Sequence, residues 1–197
     1  MPPVIAAALW MGGTLSSLAL MAIAGRELAG ELSTLQILFF RSIVGLTIIS
    51  LVIWRVGTHH FKSAQPAMQI VRNLAHYVGQ FGWFYGIAFL PLAQVFALEF
   101  TMPIWAALMA PLLLKEKLTP MRLGAVAVGF LGTLVILRPG LAPVGLPMMA
   151  VLVAAVGYAV AYTLTKKLVR TDKPLAVVFY MTLIQLPLGA VPSVMCC

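Results

Sequence analysis

One carboxylate, Glu99, stands well inside a long apolar run, Ala93–Leu114. An ionisable side chain in hydrocarbon is costly, so it needs a partner, a proton or a task. It lies about seven residues from the nearer end of that run, which is about 10 Å along a helix. Arg41 lies about six residues from the corresponding end of another run, Leu35–Trp54, or about 9 Å deep. Opposite charges at matching depth either pair and lock two helices, or face a shared cavity where they serve a substrate or a coupled proton. Arg72, His76 and Gln80 are spaced by four in a third run, so they share one helical face. Arg72 is close enough to the end of its run to snorkel. His76 and Gln80 are deeper, and either line a pathway or hydrogen-bond between helices. Tyr158 and Tyr162, also four apart, could form a box for a flat or cationic substrate or pack against lipid. Gln185 falls near the middle of the last run. Pro103 follows Glu99 by four and frees its carbonyl, which predicts a kink beside the acid, either a static bend or a gate.

Metal-ligand clusters, metalloprotease helix motifs, phosphate loops and nucleophile elbows are missing from the sequence. It therefore points away from an enzyme, and calls for no cofactor or metal. His59 and His60 fall in a polar break and are expected to be solvated. Thr14, Ser16 and Ser17 are read as packing residues. Gly82 and Gly86 form a small-xxx-small pair, with Gly79 nearby, which allows close helix contact.

The elements that must position these residues follow from composition. Of the 197 residues, 62% are hydrophobic and 9% charged, against about 25% charged in soluble proteins. Lipid is the natural solvent for such a chain. Seven runs are long enough to span a bilayer: Val4–Ala24, Leu35–Trp54, Met68–Phe89, Ala93–Leu114, Thr119–Leu137, Leu146–Thr165 and Leu175–Val194. Spanning backbone must satisfy its own hydrogen bonds, so these are predicted as helices. Period-two alternation is missing, which argues against a barrel. The expected class is an all-α membrane protein, a multi-helix transmembrane bundle. The first run lacks a charged leader region and is read as a permanent span, not a cleaved signal.

The net charge of +8 is a topology signal and not a nucleic-acid patch. Breaks after the second, fourth and sixth runs carry ten basic residues: Arg55, Lys62, Arg72, Lys115, Lys117, Arg122, Lys166, Lys167, Arg170 and Lys173. The other breaks carry two, Arg26 and Arg138. The positive-inside rule then places the N-terminus in the cytoplasm and, after seven crossings, the C-terminus outside. Cys196 and Cys197 cannot form a disulfide framework, and no polybasic segment marks them for prenylation.

GRELAGELSTLQILFFRS, from Gly25, aligns without gaps to TKKLVRTDKPLAVVFYMT, from Thr165, at an offset of 140 residues. Leu28 meets Leu168, Leu35 meets Leu175, Phe39 meets Phe179 and Phe40 meets Tyr180. Five runs separate the copies, so the second enters the membrane inverted, a common transporter architecture. The predicted organisation is one five-helix repeat over 1–140 and two helices of an inverted second repeat over 141–197.

The stretch from Arg72 through FGWFYGIAFLPLAQ and Pro103 to LLLKEKLTPMRLGAVAVGFLGTLVILRPG resembles the EamA domain of the drug/metabolite transporter superfamily. Glu116 matches the acidic residue closing the fourth span. Gly124, Gly129 and Gly132 match its glycine-rich fifth span, Arg138-Pro139-Gly140 its closing turn, and Arg41 a basic position in its second span. The resemblance implies ten spans in two inverted five-helix repeats, with a central cavity for a small metabolite moved by alternating access. It also implies a site in the cell membrane, inner or plasma. Partners expected are membrane lipid, from the composition, and a small-molecule substrate, with proton coupling through Glu99; a half-transporter that pairs with a second copy as a homodimer is a further reading. Three spans of that pattern are not in this sequence. A truncated, non-transporting remnant is therefore the rival reading, with an intramembrane enzyme behind it.

Overall fold

The structure is a computed structural model that describes residues 3–57, 63–114, 119–137 and 145–195, with backbone alone at 3, 122, 125, 136, 137 and 191–195. His59, His60, Glu116, Arg138-Pro139-Gly140, Cys196 and Cys197 lie outside the described residues. Among the described residues every regular element is helical. In order these are α1 (Pro3–Leu28), α2 (Thr34–Val56), α3 (Pro66–Phe89), α4 (Leu92–Glu99), α5 (Met102–Met109), α6 (Pro120–Leu137), α7 (Leu146–Leu168) and α8 (Pro174–Met195). A π-helical turn over Ala110–Leu114 extends α5.

The apolar runs predicted from sequence fall on these helices, with boundaries shifted by a few residues. Among the described residues four stretches are long and apolar enough to cross a membrane: Val4–Leu28, Thr34–Val56, Leu92–Leu114 and Leu146–Leu168. The chain is thus a multi-pass membrane protein. In α6 and α8 the apolar helical stretches are shorter, Val126–Val135 and Pro174–Ala190. α3 is long enough, but Gln69, Arg72, Asn73, His76 and Gln80 make one of its sides polar, and all five are buried. In a lipid solvent a polar row of this kind faces protein, not hydrocarbon.

Local chemistry fixes the helix ends. Ser33 caps α2 through a capping box: the Gln36 amide donates to Ser33 Oγ at 3.3 Å, and the Ser33 amide donates to Gln36 Oε1 at 2.9 Å. Gly57 closes α2 at φ 118°, a backbone that favours glycine. Proline sits in the first turn of α3, α5 and α7, where its missing N–H has no partner to lose.

The two stretches aligned at the 140-residue offset fold into the same turn. After α1, the amides of Ala29, Gly30, Glu31 and Leu32 donate to the carbonyls of Gly25, Glu27, Leu28 and again Leu28, at 3.0, 3.3, 3.0 and 2.8 Å. After α7, Val169, Arg170, Thr171 and Asp172 donate to Thr165, Lys167, Leu168 and again Leu168 at the same four distances.

α3 is the hub. Its broadest interface is with α7, and the next broadest in the molecule joins α2 to α8. The α3–α7 contact is made by small residues, because backbones can approach only where side chains are short. A Cβ on Gly157 would stand 2.7 Å from the Ala75 carbonyl oxygen, and one on Gly82 would collide with the Ala150 carbonyl. Both ends of α3 are held from outside. Arg26 at the end of α1 donates from Nε to the Ile87 carbonyl at 3.1 Å and from Nη2 to the Leu90 carbonyl. Asp172, in the turn after α7, accepts from the Ala64 amide at 2.9 Å, from Gln69 Nε2 at 2.9 Å and from Ser63 Oγ. A cation thus meets the C-terminal carbonyls of α3 and an anion meets its N-terminal turn, the arrangement its dipole favours. It follows that α1 runs parallel to α3, and α7 antiparallel.

Candidate functional site

Six of the residues that the sequence singles out come together around one small cavity of about 80 Å³. α2 contributes Arg41, α3 contributes His76 and Gln80, α4 contributes Glu99, and α7 contributes Tyr158 and Tyr162. Spacing by four on α3 puts His76 and Gln80 on the face that meets α7, where spacing by four puts the two tyrosines. The tyrosine rings stack with centroids 6.0 Å apart and planes at 26°. The His76 ring stands edge-on to both, at 5.4 Å from Tyr158 and 6.4 Å from Tyr162. Its Nδ1 is 3.0 Å from Gln185 Nε2 of α8, which leaves Nε2 for other work. Of the two tyrosines, Tyr158 is buried, while Tyr162 is 50% exposed.

Glu99 is the last residue of α4, and Trp83 Nε1 donates to its Oε2 at 2.9 Å. That indole anchors one oxygen and leaves Oε1 unpartnered among the described residues. The ion pair that matching depth suggests is not made: among the described residues Arg41 has neither an ion pair nor a hydrogen bond, although it lines the same cavity as Glu99. Depth fixes only one coordinate, and the angular position about each helix fixes the rest. Arg41 also borders a cleft of about 240 Å³ between α2 and α8. Gln80 is 3% exposed, borders the cavity and has no hydrogen-bond partner among the described residues.

Arg72 does not reach the cavity. It donates from Nε to Thr165 Oγ1 at 3.0 Å and from Nη1 to Asn73 Oδ1 at 2.6 Å, which ties α3 to α7. This buried, satisfied guanidinium replaces the snorkelling one expected from sequence. Beside Glu99 the fourth run is interrupted at Phe100 and Thr101 before α5 resumes. Pro103 leaves the Glu99 carbonyl without its helical donor, and Thr101 turns back on the Leu98 carbonyl through Oγ1 at 2.7 Å and its amide at 3.0 Å. Pro103 and Tyr162 also line a larger, mostly apolar groove of about 580 Å³ between α5, α6 and α7.

Sequence reasoning missed Trp83 and Asp172. Trp83 is 16 residues from Glu99, and the one available hint was that a buried indole N–H needs an acceptor. Asp172 bonds to residues more than 100 positions away, which no local spacing announces. Asp172 lies outside the spanning helices. Burial pushes its carboxyl up, but hydrogen bonds from Ser63, Ala64, Gln69 and Thr171 outweigh that and hold it below its ordinary value.

A family model described as the EamA-like transporter family matches residues 5–138. A riboflavin transporter of Brucella anthropi is 30% identical over 154 residues, covering 78% of this chain and 54% of that protein. An S-adenosylmethionine uptake transporter of Rickettsia prowazekii is 23% identical over 162 residues, covering 82% of this chain and 55% of that protein. A pseudopaline exporter of Pseudomonas aeruginosa is 30% identical over 114 residues, covering 58% of this chain and 40% of that protein. The chain therefore spans about half the length of the first two of these relatives. All three names are those of transporters, not enzymes. No solved structure matches.

Proposed function

Because the chain belongs to the EamA-like transporter family, we propose that it serves to move a small polar metabolite across a membrane by alternating access around the Arg41–Glu99 cavity. The observation that carries this reading is the convergence of Arg41, His76, Gln80, Glu99, Tyr158 and Tyr162, from four helices, on one void. Polar side chains inside a bundle are costly and accumulate where a solute passes.

The proposed mechanism rocks one repeat, residues 1–140, against an inverted second repeat that begins at 141. The duplicated turn after α1 and α7 supports that division. Seven crossings with the N-terminus in the cytoplasm of a cell membrane follow from the basic residues of the breaks. Glu99 is the proposed proton-coupling group, since it lines the void with one oxygen anchored and the other unpartnered among the described residues. The break beside Pro103 is the proposed gate, because a helix without its regular bonds there bends at low cost.

The test is flux of a labelled metabolite panel into vesicles carrying the protein. Glu99→Gln is expected to abolish proton-coupled flux while leaving insertion intact. Wild-type flux by that variant would remove Glu99 from the mechanism, and flux by neither protein for any solute would remove the transport reading.

A further inference from the structure

Resting on the reading of this cavity as the solute site, we infer that the void takes an anion: a group of carboxylate size, held by Arg41 and Gln80 and admitted together with a proton on Glu99. Arg41 lines the void and, among the described residues, has neither an ion pair nor a hydrogen bond. Arg72 lies one turn before His76 on α3, buried, and its partners Thr165 and Asn73 are neutral. The charges of both guanidiniums reach His76 and Tyr162. Among the described residues the acid that shares this region is Glu99. Asp172 is engaged elsewhere, by Ser63, Ala64, Gln69 and Thr171 at the start of α3. Lys166, which borders the larger groove with Tyr162, adds a cation and not an anion. Two guanidiniums against one carboxylate leave one positive charge without a counter-charge, which is costly in a low-dielectric interior. A monoanion supplies it. A cation would add to the excess, and a zwitterion would leave it unchanged.

Gln80 adds an independent observation. It is 3% exposed, borders the void and has no hydrogen-bond partner among the described residues. Its amide N–H groups are donors, as are those of Arg41, so an anion is accepted from two helices. A void of about 80 Å³ has the room of about two or three waters, so a carboxylate fits and a ring does not. Arg41 and Phe84 also border an apolar groove of about 300 Å³ beside α1 and α2. The anion is thus either a small free one or the carboxylate head of a longer molecule whose apolar body lies in that groove. Glu99 sets the coupling. Trp83 fixes one of its oxygens beside the void, where its charge repels an anion. A proton on Glu99 removes that repulsion, so proton and anion each favour the other by the same factor. The other titratable groups on the void are Arg41 of α2, His76 of α3, and Tyr158 and Tyr162 of α7. His76 stands there as a neutral ring, since the Gln185 amide donates to its Nδ1 at 3.0 Å.

The experiment is a ligand-observed NMR titration of the purified 197-residue chain in lipid nanodiscs, with empty nanodiscs subtracted and ionic strength held by sodium HEPES. Acetate is the compact anion, acetamide its neutral analogue, methylammonium the cation, and hexanoate the carboxylate with an apolar body. Acetate is expected to bind at least about tenfold more tightly than acetamide or methylammonium. Arg41→Gln should erase that preference, and Arg41→Lys, which keeps the charge, should retain it. Arg72→Gln should weaken acetate and leave acetamide unchanged. Glu99→Gln, which stands in for the protonated acid, should bind acetate about fivefold more tightly or better. Tighter binding of hexanoate than of acetate marks the bound group as the head of a longer molecule, and equal or weaker binding marks a free compact anion. Acetamide or methylammonium binding as tightly as acetate, acetate no tighter in folded Glu99→Gln, or no binding of either carboxylate by folded protein would each overturn the inference. Anion-selective binding without vesicle flux of any solute would leave this inference standing and remove the transport reading. Flux without anion-selective binding would do the reverse.

Discussion

α1 and α7 occupy equivalent places at the 140-residue offset, and they end in turns with the same hydrogen bonds. Their surroundings differ completely. None of the most apolar stretch of α1 is buried inside the molecule, whereas half of the corresponding stretch of α7 is. Trp10 of α1 is 81% exposed, while Ala150, Ala154 and Gly157 of α7 sit against the glycines of α3. Both helices are strongly apolar, so hydrophobicity did not choose which one goes inside. Lipid solvates an apolar side chain as well as protein does, and helices associate where small residues let backbones meet. The second lesson concerns ends. α1 packs Ala22 and Gly25 against Phe84 and Ile87 of α3 and reaches its end through Arg26, and the turn after α7 touches it through Asp172, so one hub is clamped by opposite charges at opposite ends.

The comparison breaks most sharply at the glycine contact. Gly157→Leu would push its side chain into the Ala75 carbonyl and Gly79, which backbone cannot yield to. A loss of about 3 kcal/mol or more is expected, the upper end of overpacking costs. The counterpart is Gly13→Leu in α1, where a Cβ meets nothing within 4 Å. It should stay within about 0.5 kcal/mol of the parent. Reversible unfolding in mixed micelles measures both. Equal effects at the two sites would mean that α7 is not the packed member of the pair.

The next effect is at the turns. Leu32 and Asp172 are equivalent positions, yet Leu32 packs against the apolar core while Asp172 gathers hydrogen bonds from the segment before α3. Asp172→Asn should cost about 1–2 kcal/mol through weakened charge-assisted bonds. The pH dependence follows from its lowered carboxyl. The contribution is fully present above the ordinary value of 3.8 and is lost as pH falls below it through the folded value. Between about pH 5 and 8 this group should add no slope. An acid unfolding limb that is unchanged in Asp172→Asn would show that the clamp does not contribute.

These contrasts mark how far the sequence could be read. Span length, helix type and most helix positions were legible, because a bilayer imposes one length and one way to satisfy backbone. The duplicated turn was legible from Leu28 and Leu168 with their aligned neighbours. The shared face of Tyr158 and Tyr162, and that of His76 and Gln80, followed from spacing by four. The interruption after Glu99 was half legible, since Pro103 announced a lost bond but not the break at Phe100 and Thr101. The relation of Arg41 to Glu99 was left open between an ion pair and a shared cavity, because depth along two helices says nothing about rotation around them. Trp83 and Asp172 were invisible, as their partners are set by tertiary packing alone.

The smallest effect sharpens the comparison at the other end of the hub. Arg26 is the polar anchor of α1, donating from two nitrogens to the carbonyls of Ile87 and Leu90 at the end of α3. Lysine carries the charge but offers a point donor in place of a fork, so it can hold one carbonyl well and not both. Arg26→Lys should therefore cost about 0.5–1 kcal/mol, within the range of a cation at a helix C-terminus. The loss should be local. Amide exchange should quicken in the last turns of α1 and α3, and remain unchanged in α7, whose contacts with α3 run along its length and meet the opposite end of the hub at Asp172. If exchange rose equally in α7, the two helices would be coupled through the whole hub, and the contrast between an end-anchored helix and a face-packed one would fail.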